Sequence, residues 1–492
     1  MNMKIYSTAT PSALTLWWER PEDVQGKPVY TVLLDGKTVW NGDRTHCTLG
    51  DLSSETLFDI QVYLNDCLLG QTQARTARPR RRMDVTASGC VGDGVTLNTR
   101  ALQRAIDACG EEEELYFPAG VYLTGALRLH SGVSLYLEEG AVLQGTENSE
   151  DYLPKIKSRF EGTEMLCYQS LLNLGEMDHA AGPNCRNVLI HGKGTICGGG
   201  QALALNIIQA EKERLKEYLA SLGSAIKEYE NDRTIPGRAR GRLINLSNCE
   251  NVRISGLTLQ NGASWNVHML YSREILTDHC VFRSEDVWNG DGWDPDSSEN
   301  CTLFGCEFHT GDDSVAIKSG KNPEGNLINR PTKHIRIFDC RSEYGLGIAI
   351  GSEMSGGVED VKIWDCDLEH SLYGVQIKGT KKRGGYVKSV TVENCILPRF
   401  LICAVPYNDD GVGAAEPPVF SDCSCRDVQF TGWARNYWEK ELHAMPIVDL
   451  SGFPGYPAKN ITFHRCIAPE NAEIRLSCSQ NVQINIQKAE KK

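Results

Sequence analysis

The densest collection of reactive side chains is the stretch WNGDGWDPDSSENCTLFGCEFHTGDDSVAIKSG, residues 288–320. It sets Asp291, Asp294, Asp296, Asp312 and Asp313 among glycines and carries Lys318 near its end. Carboxylates crowded together cannot all ionise cheaply, so at least one holds a proton near neutral pH while a neighbour stays charged. One residue type thereby supplies both an acid and a base, the pair that hydrolysis of a glycosidic bond requires. Asp291 and Asp312 are 21 residues apart. If that spacing is one coil of a repeat, their backbones lie roughly 5 Å apart. Side chains splayed from there reach the ~6.5–9.5 Å separation that admits a water in inverting hydrolysis. Asp312 and Asp313 are adjacent and would face opposite ways in a regular strand. Both serve one site only at a bulge or strand end, which Gly311 would permit. Corner aspartates of tight turns, or a calcium site, are the competing readings of the same residues.

The elements that must position these groups are repetitive. From about Asp84 onward the chain returns to a short β-branched run followed by a small or polar turn that often ends in Cys, as in SENCTLFGCEF, TKHIRIFDC, VEDVKIWDC and VKSVTVENC. Cys280, Cys306, Cys340, Cys366 and Cys395 are spaced by 26, 34, 26 and 29 residues. Strands at that period without intervening helices predict coils of three short strands stacked on one another, with inward Ile, Val and Cys forming ladders. Asn98–Ile106 reads as an amphipathic helix with an N-cap, placed to cover the open first coil. Between about 202 and 230, Ile208, Leu215, Leu219, Leu222, Ile226 and Tyr229 trace a helical face. This insertion is a lid or groove wall, an oligomer contact or an inert excursion.

Residues 1 to about 80 are a separate unit. Leu14–Trp18, Tyr30–Leu34 and Phe58–Val62 read as strands, and Asp35-Gly36 has hairpin-turn chemistry. The unit resembles a fibronectin type III sandwich, with a spacer or packing role expected ahead of sugar binding. Residues 75–82 form a basic, Pro-containing linker.

Composition bounds the partners. The net charge of −13 argues against nucleic acid or anionic membrane, and an acidic ligand would need its own cluster of Lys and Arg. The start lacks the pattern of a signal peptide and no stretch approaches a membrane span. Nineteen cysteines without paired metal-like spacing, apart from the close pair Cys423 and Cys425, read as buried thiols in a reducing compartment. A cytoplasmic location is the expectation.

The aspartate region resembles glycoside hydrolase family 28, the polygalacturonases, whose ordered motifs fall here on Asn289-Gly290-Asp291, Gly311-Asp312-Asp313, Gly345-Leu346-Gly347 and Gln376-Ile377-Lys378. The flanks VAIKSG, IGSEMSGGV and KRGGYV agree, as does YFPAGVYLTGALRLHSGVSLYLEEGAVLQG upstream. The likeness spans about residues 84–470. It implies an all-β protein: a right-handed parallel β-helix over residues 81–492, with the helical insertion, behind the 1–80 sandwich. It also implies inverting hydrolysis without a metal or other cofactor. Asp312 would be the general acid, Asp291 and Asp313 would hold and activate water, and Lys378 would bind the sugar. Asn289, Lys318, Gln376 and Arg383 complete the expected binding set, with Lys381 and Lys382 beside Arg383 as the weaker members of a basic cluster. The IGSEMSGGV stretch and the leader domain are similar to exo-acting bacterial members, which trim terminal residues from oligosaccharides; the expected partner is a pectin-derived oligosaccharide.

Two positions depart from the family pattern. Leu346 stands where the family has His and can neither titrate nor hydrogen-bond; His268, His309 or Glu353 are the candidates for a supporting role. Gln376 stands where the family has Arg and lacks a permanently charged clamp for a carboxylate. Galacturonic acid is therefore the expected released sugar, with a different sugar or aglycone of branched pectin or a plant glycoside as the alternative. A calcium-dependent lyase and a non-catalytic carbohydrate-binding β-helix are the rivals from other classes. The oligomeric state is left open.

Overall fold

The computed structural model describes residues 3–22, 24, 28–228, 234–407, 409–435 and 441–489. The chain divides into two compact units, Met1–Arg81 and Arg82–Lys492. In the first, the alternating runs become antiparallel strands in two sheets. One orders Tyr6–Thr10, Ala13–Trp17 and His46–Leu49; the other orders Lys37–Gly42, Tyr30–Leu34, Leu57–Leu64 and Cys67–Arg75. Leu14, Leu16, Trp18, Tyr30, Val32, Ile60 and Val62 form its core. Asp35 and Gly36 join two strands with φ of 49° and 77°. Positive φ at both central residues gives the hairpin turn whose twist matches the strands.

The second unit is a parallel β-helix of three long sheets, with 7, 11 and 15 strands among the described residues. One coil runs Glu299–Phe304, Glu307–Thr310 and Val315–Ile317; the next runs Thr332–Phe338, Arg341–Tyr344 and Ile348–Ile350, in parallel register with it. Inward positions stack in columns such as Ile275, Cys301, Ile335, Val361 and Val390. Each such side chain contributes about 1.5–3 kcal/mol on burial, so a continuous column holds coils that have no sequence-local partner.

The repeating Cys has a physical explanation. It follows His279, Gly305, Asp339, Asp365 or Asn394, all with φ between 48° and 63°. This left-handed corner suits Gly, Asn and Asp. The corner turns the next residue inward; in other coils the same place, after Gly256 and Asp427, is filled by the buried Leu257 and Val428. Each thiol then donates to the carbonyl two residues back, at 3.2–3.4 Å for Cys280, Cys306, Cys340, Cys366 and Cys395. All nineteen cysteines are free thiols.

The helix Thr99–Ala108 buries Leu102, Ala105 and Ile106 in the β-helix core. Asn98 stands at its cap position, but its amide does not cap it. Instead Asn98 accepts from Val91 N at 2.8 Å and donates to Val91 O and Thr96 O. The inserted segment forms helices Gly200–Arg214 and Lys216–Leu222. Its deepest face is Leu203, Ala204, Ile207, Ile208 and Glu211, earlier than the run read from the sequence; Leu215, Leu219, Leu222 and Ile226 are half-buried, and Tyr229 lies outside the described residues. Of the basic stretch 75–82, Arg82 belongs to the second unit and lies 5.0 and 4.8 Å over the Tyr116 and Tyr136 rings. No helix is long and apolar enough to cross a membrane among the described residues.

Candidate active site

The aspartates stand at the entrances to neighbouring strands of the 11-stranded sheet. Trp293 pairs with Val315, and Gly292 N donates to Asp313 O at 3.0 Å. Asp291 and Asp313, each two residues ahead of that pair, therefore occupy equivalent places on adjacent coils. The sequence spacing had suggested Asp291 and Asp312. The coil is 22 residues here, so Asp312 is displaced by one along the turn that follows Glu307–Thr310. The column continues through Leu346, two ahead of Ile348, and Tyr373, two ahead of Val375.

Glycines bring these turns close to the chain around them. A Cβ on Gly290 or on Gly311 would lie 2.7 or 2.6 Å from both Ser284 O and Val287 O. Gly311 is thus required by close approach, not by backbone freedom: it is not among the positive-φ residues. Gly347 needs both, with φ of 100° and a virtual Cβ 2.5 Å from Gly374 O.

Charge is distributed unequally among the three acids. Lys318 Nζ lies 3.3 Å from Asp291 Oδ2 and 3.6 Å from Glu353 Oε2, and 4.4 Å over the Trp265 ring. Lys378 Nζ donates to Asp313 Oδ2 at 3.1 Å. Asp312 is half-buried, accepts from Asp313 N at 3.0 Å, and has no cation within 4 Å among the described residues. Burial, Asp291 and Asp313 hold the Asp312 carboxyl well above the usual range. Burial and Asp313 push Asp291 up to about 6 against the pull of Lys318. Burial and Asp291 raise the Asp294 carboxyl well above the usual range too, so near neutral pH Asp312 and the deeper Asp294 hold protons while Asp291 is ionised. Lys318 is held charged by Glu353 and the aspartates despite its burial, and Lys378 by Asp313.

Asp291 Oδ1, Asp313 Oδ1, both Asp294 carboxylate oxygens and Gln376 Oε1 are buried without a hydrogen-bond partner. Such capacity is normally taken up by water or a polar ligand, so the orphaned atoms gather around the aspartates.

The other sequence-derived residues separate into two groups. Asn289 is beside the aspartates, with its Oδ1 accepting from Arg240 at 2.5 Å. Gln376 lines the same sheet and donates to Cys403 Sγ at 3.3 Å. Glu353 meets Lys318. Arg383, by contrast, is fully buried, donating to Ser352 O at 2.8 Å and Asn322 Oδ1 at 2.5 Å. It braces the segment that carries Glu353 and is not on the cleft surface. Lys382 is taken by Asp409 O at 2.7 Å. His268 is bonded to Asp296 at 3.3 Å, and His309 to Glu307 and Glu285. Neither histidine is bonded to Asp291, Asp312 or Asp313, so neither takes the place of an imidazole at Leu346.

Sequence reasoning missed a wall built far upstream. The hairpin Ile156–Phe160/Thr163–Cys167 lies on this sheet: Phe160 stacks on Trp265 at 4.9 Å, and Arg159 Nη1 donates to Asp296 Oδ1 at 2.7 Å. Its tip residue Glu161 pairs with Arg238, which also holds Asp410. Arg240 and Arg242 follow. The alternation Arg238-Ala-Arg240-Gly-Arg242 was the available signal. Gln201, at the start of the inserted helix, accepts from Trp288 N at 2.9 Å.

Comparisons with known proteins point to one family. The family model "Glycosyl hydrolases family 28" matches residues 139–400, and one for rhamnogalacturonase A/epimerase, pectate lyase-like, matches residues 83–151. A probable polygalacturonase of Vitis vinifera is 36% identical over 318 residues, 62% of this chain and 58% of that protein. An exo-poly-alpha-D-galacturonosidase of Dickeya chrysanthemi is 28% identical over 382 residues, 73% of this chain and 63% of that protein. The chain thus spans about three fifths of the length of these relatives. Among solved structures, the family 28 exopolygalacturonase of Yersinia enterocolitica superposes with a TM-score of 0.83 at 22% identity, over 99% of this chain and 95% of that one. This last likeness carries the fold.

Proposed function

Because the chain belongs to glycosyl hydrolases family 28, we propose that it is an inverting glycoside hydrolase that releases terminal galacturonic acid from pectin-derived oligosaccharides. The observation that carries this reading is the unequal charge of the three aspartates. Asp312, without a cation, protonates the departing glycosidic oxygen. Asp291 and Asp313, each against its own lysine, hold a water and accept its proton as it attacks the opposite face of the sugar. Lys378, 3.1 Å from Asp313, and Lys318, 3.3 Å from Asp291, offer positive charge to an acidic sugar.

Exo action is supported by the upstream wall. The 156–167 hairpin, the inserted helix and the arginine segment crowd the side of the aspartates that precedes them in the coil order, leaving the other side to the remainder of a substrate. Gln376 favours a second reading, in which the neighbouring unit is a different sugar or an aglycone, because a neutral amide replaces the charged clamp. The strand order of the first unit, three strands facing four, supports its likeness to a fibronectin type III domain acting as a spacer. Nineteen cysteines without a disulfide support a cytoplasmic setting.

The test is product analysis by chromatography with a chelator present, on oligogalacturonides and branched pectin fragments. Stepwise release of saturated galacturonic acid is expected. A sugar released only from the branched panel would favour the second reading, and silence on both would remove the hydrolase.

A further inference from the structure

Arg240 is a buried cation without a counter-ion. It is 3% exposed, and its guanidinium donates only to neutral oxygens: Gly237 O at 3.0 Å, Ala263 O at 3.2 Å, Trp288 O at 3.1 Å and Asn289 Oδ1 at 2.5 Å. No carboxylate lies within 4 Å of it among the described residues. The carboxylates nearest in effect, Glu161 and Asp291, are already engaged by Arg238 and Lys318. A buried charge without a charged partner is costly, and beyond its four oxygen acceptors Arg240 meets, among the described residues, only the face of the Phe160 ring, 5.2 Å away. Arg240 also settles how Asn289 is oriented. With its carbonyl oxygen held by the guanidinium, the Asn289 amide turns its two N–H donors away from Arg240, and Asn289 is half-exposed two residues ahead of Asp291.

The location matters as much as the charge. Arg240 leads into Ile244–Ser247, two coils before the strand that Asp291 opens, whereas Gln376 lies three coils after that strand. The two positions flank the aspartates from opposite ends. Gln376 contributes no charge, and its amide is turned to Cys403. We infer that the cation selecting a carboxylate on the substrate is Arg240, acting through Asn289, and that it reads the sugar lying on the side of the aspartates that precedes them in the coil order. The sugar or aglycone on the Gln376 side is then free to be neutral. This rests on the reading of the chain as a galacturonide hydrolase. Arg240 is a specificity-determining and positioning residue here: its charge favours the uronate and its hydrogen bond aims the Asn289 donors.

The test compares kcat/KM on 4-nitrophenyl α-galacturonide and on its methyl ester, which differ in the charge of the sugar and by one methyl group. The wild type is expected to prefer the acid strongly. In Arg240→Met, turnover of the acid falls about 10–100-fold, the range for losing a charge-assisted contact, while the ester changes less than about 3-fold. Arg240→Lys recovers part of the preference by restoring charge without the planar fork. If Arg240→Met does not fold, Asn289→Asp serves instead, since a carboxylate facing the substrate's own should again penalise the acid selectively. Equal losses on acid and ester in the folded variants overturn the inference and leave the hydrolase reading intact. A wild type that cleaves neither compound nor any oligogalacturonide overturns that reading, and this inference with it.

Discussion

Asp296 ends the strand Trp293–Asp296, and Asp312 lies in the turn before the neighbouring strand Val315–Ile317, sixteen positions on in the chain. The two are driven to opposite states. Asp296 is fully buried, yet Arg159 donates to it at 2.7 Å and His268 at 3.3 Å, and its carboxyl is held down at about 2. Asp312 is less buried, has no cation, faces two other aspartates, and is held well above the usual range. Depth of burial does not rank them. What separates them is the partner each one meets: a charge-assisted pair compensates desolvation in one place, and like charge adds to it in the other. One region spends its carboxylate on anchoring the hairpin over the sheet, and the other keeps a proton available. His268 belongs to the first region, where burial lowers its pKa to about 4, so it serves as a neutral hydrogen-bond partner.

The sharpest way to break this contrast is to remove the proton. Asp312→Asn keeps shape and hydrogen bonding but cannot act as an acid. Activity should fall by about 10²–10⁴-fold, the usual share of general acid catalysis, with an unchanged melting temperature. Near-wild-type turnover would remove the mechanism. The converse variant strikes the anchor. Arg159→Met leaves Asp296 buried without its cation and should destabilise the protein by about 3–5 kcal/mol in denaturant unfolding. A loss under about 1 kcal/mol would mean that the pair contributes little.

The same pair sets a pH dependence with a definite sign. The folded pKa of Asp296 lies below the ~3.9 of a free aspartate, so its contribution is complete above about pH 4. It drains away as the pH falls toward about 2. Acid unfolding of Arg159→Met should therefore lack this component. In the proposed mechanism Asp291 is ionised to assist the water, which places the acid limb of kcat/KM near pH 6. Lys318→Met removes the cation that pulls this carboxyl down, so the limb should move upward by about one unit. An unmoved limb would assign it to another group. The smallest effect is expected at His309, whose partners are Glu307 and Glu285. His309→Ala should leave kcat/KM within about 2-fold, and a large loss would return this histidine to the site.

Much of the site was legible in the sequence because its residues are adjacent or one coil apart. Asp291, Asp312 and Asp313 are found by their motifs, and Lys318 follows from lying within the same coil. The error in pairing Asp291 with Asp312 came from a one-residue ambiguity in coil length, which only the register of Trp293 with Val315 resolves. Arg383 was expected in the sugar-binding set, in a basic cluster with Lys381 and Lys382. Its actual place inside the fold depends on Ser352 and Asn322, which no local pattern links to it. Asn98 carried the right residue type for a cap, but a loop seven residues earlier took its amide.

By itself the sequence determined the repeat, the inward columns of Ile, Val and Cys, the small or polar turns that end in Cys, and the candidate trio of carboxylates. These depend on residue type and short spacing, which the chain states directly. Which carboxyl keeps its proton was decided by the tertiary structure alone. Lys378 is 65 residues from Asp313 and Arg159 is 137 from Asp296. In a weakly polarisable interior, a charge acts strongly over only a few ångströms, so the protonation of each acid is written by the neighbours that folding delivers and not by those next to it in the chain.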